Sequence, residues 1–271
     1  MTPHLTDSAD YEHIRTWLSD RSGIHYPEYK RDLLRQRLGR VQLAFDYRDL
    51  ASLLQDLRGG ARAEVEMAVL SAASTNHTYF YREADILRQM RDTILPALSA
   101  REEIRIWSAA CSTGDEVFTI AMLIAEALGP EALERTSILG TDISAPVIAR
   151  AEQGLVSARQ IGALPEDLRR RFLRPLGLGQ FEVSAAIRSR CTFRRMNLKT
   201  TPYPFRNSFQ IVFLRNVLYY FDPADQAATL DAVHEVTEPG GWLITSVTES
   251  LRGLPTAWVT QENGIYRRAA P

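Results

Sequence analysis

The sequence predicts an α/β fold with a parallel sheet, preceded by a small all-helical module, and three observations carry that reading. Apolar residues recur at helical spacing from about Tyr11 to Ser74, short β-type runs alternate with helical stretches from Ile104 onward, and the segment from about Arg169 to Met196 breaks the alternation. In the first region Ile14, Trp17 and Leu18 share a face, and Pro27 suits the first turn of the next segment. That second helix has the clearest period: Leu34, Leu38, Val41 and Phe45 form a narrow apolar stripe, with Lys30, Arg31, Arg35, Arg37 and Arg40 on its flanks as a basic exterior. Shorter helices are expected near Leu50 to Leu57 and Glu64 to Ala73. Strands follow at Ile104 to Ala109, Ile138 to Thr141, Phe209 to Leu214 and Trp242 to Val247, with helices near Glu116 to Leu128 and Ala224 to Val236. In the interrupted segment, Phe181 to Ser184 and Cys191 to Arg194 alternate apolar and polar residues like a half-exposed antiparallel pair, so a small β insertion is expected over about 169–196. No linker rich in Pro, Gly or Ser separates the parts, which predicts that the helical module packs tightly on the α/β domain.

Composition narrows the function. At 271 residues and 45% hydrophobic content the chain can bury a full core, which excludes a disordered class. Lysine and arginine number 32 against 33 aspartate and glutamate, for a net charge of −1, so no global field favours nucleic acid or an anionic membrane. The two cysteines, Cys111 and Cys191, lack zinc-finger or thioredoxin spacing and predict a reducing compartment without structural metal or disulfide. Residues Met1 to Tyr11 lack the charged start and apolar run of a signal peptide, and no stretch has the length of a membrane span. The expectation is a soluble cytoplasmic protein with no membrane insertion.

A ligand in an open α/β sheet binds beyond the carboxyl ends of the strands. There, after the strand through Trp107, the run Ala109-Ala-Cys-Ser-Thr-Gly-Asp-Glu116 offers small residues ending at Gly114, which lets a ligand approach the backbone closely. The fuller glycine patterns that cradle phosphate are absent, which disfavours dinucleotides and nucleoside triphosphates. Asp115 and Glu116 would repel a phosphate and attract an ammonium or sulfonium. Asp142, at the end of the next strand, suits either a ribose diol or an ordinary helix N-cap before Ser144 to Arg150.

Three motifs reach family-level specificity. Thr75-Asn-His-Thr-Tyr-Phe-Tyr-Arg-Glu83, Trp107-Ser-Ala-Ala-Cys-Ser-Thr-Gly-Asp-Glu116 and Arg215-Asn-Val-Leu-Tyr-Tyr-Phe-Asp222 resemble, in order and spacing, the signatures of CheR-type chemotaxis-receptor methyltransferases. The resemblance continues through Pro239-Gly-Gly241, Thr248-Glu-Ser-Leu251 and Gly264-Ile-Tyr-Arg, and covers the helical module more loosely. It implies a helical N-terminal domain over 1–80 that faces a receptor, and a Rossmann-like S-adenosylmethionine-dependent methyltransferase domain over 81–271 that carries the β insertion. It further implies that Asn76, Thr78 and Arg82 contact S-adenosylmethionine, Glu116 its amino group and Asp142 its ribose, with Asn197 and Leu198 beside the adenine and Arg215 and Asn216 completing the site. Asp115 stands where the family usually has Glu, Val117 where it has Pro, and Tyr219 where an aliphatic residue is common; the shorter Asp115 leaves the amino-group contact to Glu116 alone.

The reaction so implied moves a methyl group from the sulfonium to a glutamate carboxylate of a methyl-accepting chemoreceptor, leaving S-adenosylhomocysteine. A glutamate with a pKa of about 4.3 is already ionised at neutral pH, so no general base is required. Tyr220 is expected to hold the incoming carboxylate through its hydroxyl and Arg82 to organise the site, with Tyr219 as a packing residue. His77 lies in a motif but is assigned no chemistry. The basic helix suits the acidic face of a receptor coiled coil, and the chain is expected to act as a monomer. Two rivals remain: a methyltransferase for another acceptor, and a non-catalytic signalling module that keeps the cofactor pocket. The first is disfavoured by Arg215-Asn-Val-Leu-Tyr, which stands where base-methylating enzymes carry Asn/Asp-Pro-Pro-aromatic.

Overall fold

The computed structural model describes residues 3–74 and 76–270; Thr75, which opens the first motif, lies outside them. Four helices begin the chain: α1 (Pro3–Ser22), α2 (Arg31–Ala44), α3 (Leu50–Arg58) and α4 (Ala63–Ala73). Pro27 does not open α2; it precedes a single 3-10 turn, Glu28–Lys30, that leads into the helix. The start of α3 is fixed locally, because Asp49 accepts a hydrogen bond from the Ser52 N–H at 2.8 Å while the Ser52 hydroxyl accepts from the Asp49 N–H at 3.3 Å. Leu34, Leu38 and Val41 enter a core shared with Tyr11, Ile14, Leu18, Leu53 and Val69, as the apolar stripe predicts.

The remainder is the α/β domain. After α5 (Ala84–Gln89) come β1 (Ile104–Ala109), α6 (Asp115–Ala127), α7 (Pro130–Glu134), β2 (Thr136–Asp142), α8 (Ala145–Gln153) and β3 (Leu155–Ser157). Then follow α9 (Glu166–Phe172), β4 (Leu173–Gly177), β5 (Gln180–Val183), α10 (Ala185–Arg188), β6 (Cys191–Arg195), β7 (Phe209–Leu214) and α11 (Pro223–Val236). The chain closes with β8 (Thr237–Ile244), β9 (Val259–Glu262) and β10 (Ile265–Arg267). The main sheet runs β6-β2-β1-β7-β8-β10-β9, parallel through its first five strands and antiparallel at β10 and β9. From β1 the chain steps outward to β2 and β6 and then returns to β7 on the other side, which creates a crevice beyond the carboxyl ends of β1 and β7.

Helix α6 is apolar on every side because it is covered on every side: Val117 to Ala125 are all buried. Phe118 stacks on Phe80 at 6.3 Å and meets Phe193 edge-on at 5.4 Å, so three separate segments lock there. On the opposite face of the sheet, Trp107 packs against Tyr203 and Phe205 and donates its indole N–H to Thr141 Oγ1 at 2.9 Å. That contact fixes the ends of β1 and β2 relative to each other. Among the described residues, no helix is long and apolar enough to cross a membrane.

The β insertion differs from the expectation. Strands β3, β5 and β4 form a separate three-stranded antiparallel sheet, whereas Cys191 to Arg195 pairs in parallel with β2 as the edge of the main sheet. Phe181 to Ser184 and Cys191 to Arg194 are therefore not partners, and the insertion covers about 155–183 rather than 169–196. An edge strand with one covered face alternates apolar and polar residues whichever way its partner runs, so the pattern could not tell the two pairings apart.

Candidate active site

The site is built where β1 and β7 end. Between β1 and α6 the backbone adopts left-handed conformations at Ala110 (φ 63°), Ser112 (φ 50°) and Gly114 (φ 85°). These turns aim the Ser112 N–H at Asp142 Oδ2, 2.9 Å away, while Asp142 Oδ1 accepts from the Ser144 N–H at 2.9 Å. Gly114 has no alternative, since a Cβ there would lie 3.0 Å from both Ala151 and Phe193 on top of the left-handed strain. Asp142 is buried, and burial raises its carboxyl against the opposing pull of the backbone donors. Ser144, not Asp142, occupies the N-cap position of α8; Asp142 caps the loop and keeps lone pairs on both oxygens for a further donor.

At the end of β7 a buried ion network sits beside this loop. The Arg215 guanidinium, with its side chain 2% exposed, pairs with Glu116 Oε2 at 2.8 Å and Glu83 Oε2 at 3.4 Å and donates to the Arg82 carbonyl at 2.7 Å. Glu116 Oε1 takes a further bond from the Ser108 hydroxyl at 2.8 Å. Burial alone would raise Glu83, but the Arg215 charge and the Val247, Ser246 and Asn216 donors outweigh it and hold that carboxyl below its ordinary range. Asn216 itself is left-handed (φ 59°), with its side chain donating to Glu83 Oε1 at 3.2 Å and its backbone N–H to Glu249. Sequence reasoning gave Glu83 and Glu249 no role although both lie in quoted motifs. A charged residue buried beside an arginine leaves no periodic signal.

Asp115 faces away from this network. It is fully buried, accepts from Gln160 Nε2 and the Thr113 hydroxyl at 3.0 Å each, and burial lifts its carboxyl to about 6. Folding therefore favours its protonated form: the ionisation penalty is absent below about 3.8 and complete above about 6, so this group makes the protein less stable as pH rises through that window. Asp115→Asn is expected to raise stability by about 1–3 kcal/mol at pH 7.5 and to have little effect at pH 4. Urea unfolding at the two pH values checks this, and equal effects at both would remove Asp115 as the cause.

Two adjoining cavities, with empty volumes of about 570 and 490 Å³, share Ala110 and Asn216 as common wall. Asn76, Asp142, Asn197, Leu198, Asn216 and Tyr220 line the first; Thr78, Arg82, Glu116, Arg215 and again Asn216 line the second. All ten residues expected at the cofactor or the reacting atoms thus border one continuous region. The helical module contributes Ser22 and Ile24 to the first cavity, a contribution that no motif announced. Its position is held by Asn197 Nδ2 donating to the Arg21 carbonyl at 2.7 Å and by the His25 N–H donating to the Tyr220 carbonyl at 2.8 Å.

Two expectations are corrected here. Tyr219 is not a packing residue: it is 52% exposed, with its hydroxyl 3.4 Å from that of the half-buried Tyr220. The basic helix is not simply a solvated exterior either. Arg37 turns inward to the carbonyls of Ala72 and Ser74, at 3.1 and 3.0 Å, and closes the end of α4, while Arg31 and Arg35 lie over the Tyr11 ring. Lys30 precedes α2 and sits 5.9 Å from the centre of the Tyr220 ring, and of the five only Arg40 is exposed, the others being half-buried.

With this geometry in place, comparison with known proteins is decisive. Residues 76–265 match the CheR methyltransferase SAM-binding domain, and residues 9–70 match the CheR methyltransferase all-alpha domain. The chain belongs to the CheR methyltransferase family. CheR relatives include a chemotaxis protein methyltransferase of Vibrio parahaemolyticus, 33% identical over 94% of each chain. Chemotaxis protein methyltransferase 1 of Pseudomonas aeruginosa is 33% identical over 97% of this chain and 98% of its own, and the Escherichia coli enzyme 30% over 98% and 93%. Among solved structures, the N-methyltransferase NodS from Bradyrhizobium japonicum overlaps with a TM-score of 0.32 at 17% identity, over 61% of this chain and 63% of that one, too slight a likeness to bear on function. As a CheR protein the chain is an S-adenosylmethionine-dependent methyltransferase. The cleft suits that cofactor on its own chemistry, since it offers the buried Asp142 carboxylate, a second carboxylate at Glu116, and a Ser112 hydroxyl and Arg215 Nε without protein partners among the described residues.

Proposed function

We propose that this CheR protein methylates glutamate carboxylates on the cytoplasmic helices of a chemoreceptor, forming glutamate methyl esters in the adaptation of chemosensory signalling. The observation that carries the reading is what the cleft offers a reacting group. Its carboxylates are already hydrogen-bonded, Asp142 to two backbone N–H groups and Glu116 to Arg215 and Ser108, and in this reading their remaining lone pairs serve the cofactor, so none is left as a base for the acceptor. What remains are donors and cations: Tyr220 from the first cavity, Arg82 and Arg215 from the second. Such a site suits an acceptor that arrives already ionised and needs alignment rather than deprotonation, which describes a glutamate at neutral pH. The names of its relatives point the same way.

S-adenosylmethionine, when bound, supplies the methyl group and leaves as S-adenosylhomocysteine. In this reading Asp142 takes the ribose hydroxyls, Asn197 and Leu198 flank the adenine, and Glu116, Asn76 and Thr78 hold the amino-acid end. Arg215 and Asn216 keep the floor rigid. Arg82, tied by Nη1 to the His77 carbonyl at 2.9 Å, orders the 76–83 loop and lends positive charge beside the incoming carboxylate. Tyr220 donates its hydroxyl to that carboxylate and orients one lone pair, and the helical module shuts water out of the same cavity.

Transfer of labelled methyl to receptor cytoplasmic fragments tests the reading, with alkali lability as the mark of an ester. Wild type is expected to give alkali-labile label on glutamate, and Tyr220→Phe to lower kcat about tenfold, the worth of one hydrogen bond to a charged group, with cofactor affinity unchanged. Alkali-stable label would indicate a nitrogen acceptor. Tight cofactor binding with no label on any receptor would instead identify a signalling module without turnover.

A further inference from the structure

A third cavity, with an empty volume of about 730 Å³, lies on the other side of the 76–79 loop and is lined by Arg150, Arg159, Gln160, Thr113 and that loop. It shares His77, Thr78 and Tyr79 with the cavity that holds Arg82, Glu116 and Arg215, so one strip of chain separates it from the reacting centre. Its chemistry is unlike that of its neighbours: two guanidiniums line it and no carboxylate does, whereas the two cofactor cavities each carry one. Among the described residues, neither Arg150 nor Arg159 makes a hydrogen bond or an ion pair, and both are exposed. The buried Asp115 feels the Arg150 charge but is already bonded to Gln160 and Thr113. By contrast, Arg31 and Arg37 of the basic helix spend their guanidiniums on Glu28 and on backbone carbonyls.

From these observations we infer that Arg150 and Arg159 form a docking subsite for a carboxylate on the methyl-accepting helix, one that flanks the glutamate being esterified. The inference rests on the receptor-methylating reading and adds to it the part of the enzyme that sets the substrate in register. On a helix, side chains three or four positions apart are neighbours, so an acidic residue one turn from the target can reach across the 76–79 strip while the target faces Tyr220 and Arg82. Charged groups at the edge of an interface act mainly on encounter and register, so the subsite governs affinity for the receptor and not the chemical step.

The test is fluorescence anisotropy of a labelled receptor cytoplasmic fragment, with methyl transfer to the same fragment measured in parallel, for wild type, Arg150→Ala, Arg159→Ala and the double variant. The double variant should bind the fragment about tenfold more weakly and show KM raised to match. Its kcat, cofactor affinity and Tm should stay at wild-type values, with a shallower dependence on salt. Arg159→Glu should be rescued by Lys at the flanking acidic position of the fragment. Wild-type methylation with unchanged affinity in the double variant overturns the subsite and leaves the proposed function standing. Failure of wild type to bind or methylate any fragment overturns both. Inorganic phosphate that binds wild type at micromolar concentration and not the double variant, without competing with the fragment, would assign the cavity to a free anion and overturn the inference.

Discussion

Replacing Arg215 with Met is expected to destabilise the protein by about 3–5 kcal/mol and to abolish methyl transfer at physiological temperature. The cost follows from what the guanidinium leaves behind. Its side chain is 2% exposed and lies between Glu116 and Glu83, whose own side chains are 16% and 18% exposed. Without it, two nearly buried carboxylates face each other with only the Arg82 guanidinium, 4.0 Å from Glu83, as countercharge, and the Arg82 carbonyl loses its donor. The loss should appear as a fall in Tm of roughly 6–20 °C, at about 2–4 °C per kcal/mol for a chain of this size. Arg215→Lys should recover only part of it, because an ammonium cannot span three acceptors in one plane. The pH dependence separates this cause from lost packing. In the Met variant Glu83 loses the charge that favours its ionised form, so acidification to pH 5 should narrow the gap to wild type. A Tm within 2 °C of wild type, on the same ~2–4 °C scale, would show that the network carries no such energy.

Asp142→Ala is expected to weaken S-adenosylmethionine binding by about 100-fold and to destabilise the fold as well. Two losses combine. The Ser112 and Ser144 N–H groups each lose an acceptor 2.9 Å away, at about 1–3 kcal/mol per buried donor, and the left-handed loop that they hold relaxes. The proposed ribose contact goes as well. Asp142→Asn keeps one acceptor oxygen and should lie between wild type and the Ala variant, near a tenfold loss. Calorimetric titration with the cofactor, alongside thermal melts, distinguishes a binding defect from unfolding. If Ala and Asn variants bind with wild-type affinity, Asp142 is a loop cap only.

Much of the site was legible because its residues sit in contiguous runs: Asn76 to Glu83, Trp107 to Glu116 and Arg215 to Asp222 each supply several lining residues. What remained hidden lay outside those runs or had no periodicity. Ser22 and Ile24 reach the first cavity because the end of α1 docks on the segment after β6 and on the Leu218–Tyr220 turn, and that docking depends on Asn197 and His25, which lie outside the motif runs. Tyr219 and Tyr220 are adjacent on one 3-10 turn, and which ring faces the cleft is set by the helical module packed over Tyr220.

By itself the sequence determined the helical module, the order of the four central strands and the helices beside them, the family and the loop chemistry at the ends of β1, β2 and β7. These follow from local periodicity and short runs, in which each residue's role depends on near neighbours in the chain. The tertiary structure alone decided that Cys191 to Arg195 joins the main sheet, that Arg37 turns inward, that Arg215 unites Glu83 and Glu116, and that Arg150 and Arg159 stay unpaired among the described residues. Each of those outcomes is a choice among partners distant in sequence. Pairing and charge neutralisation depend on which surfaces meet, and that is settled only when the chain has folded.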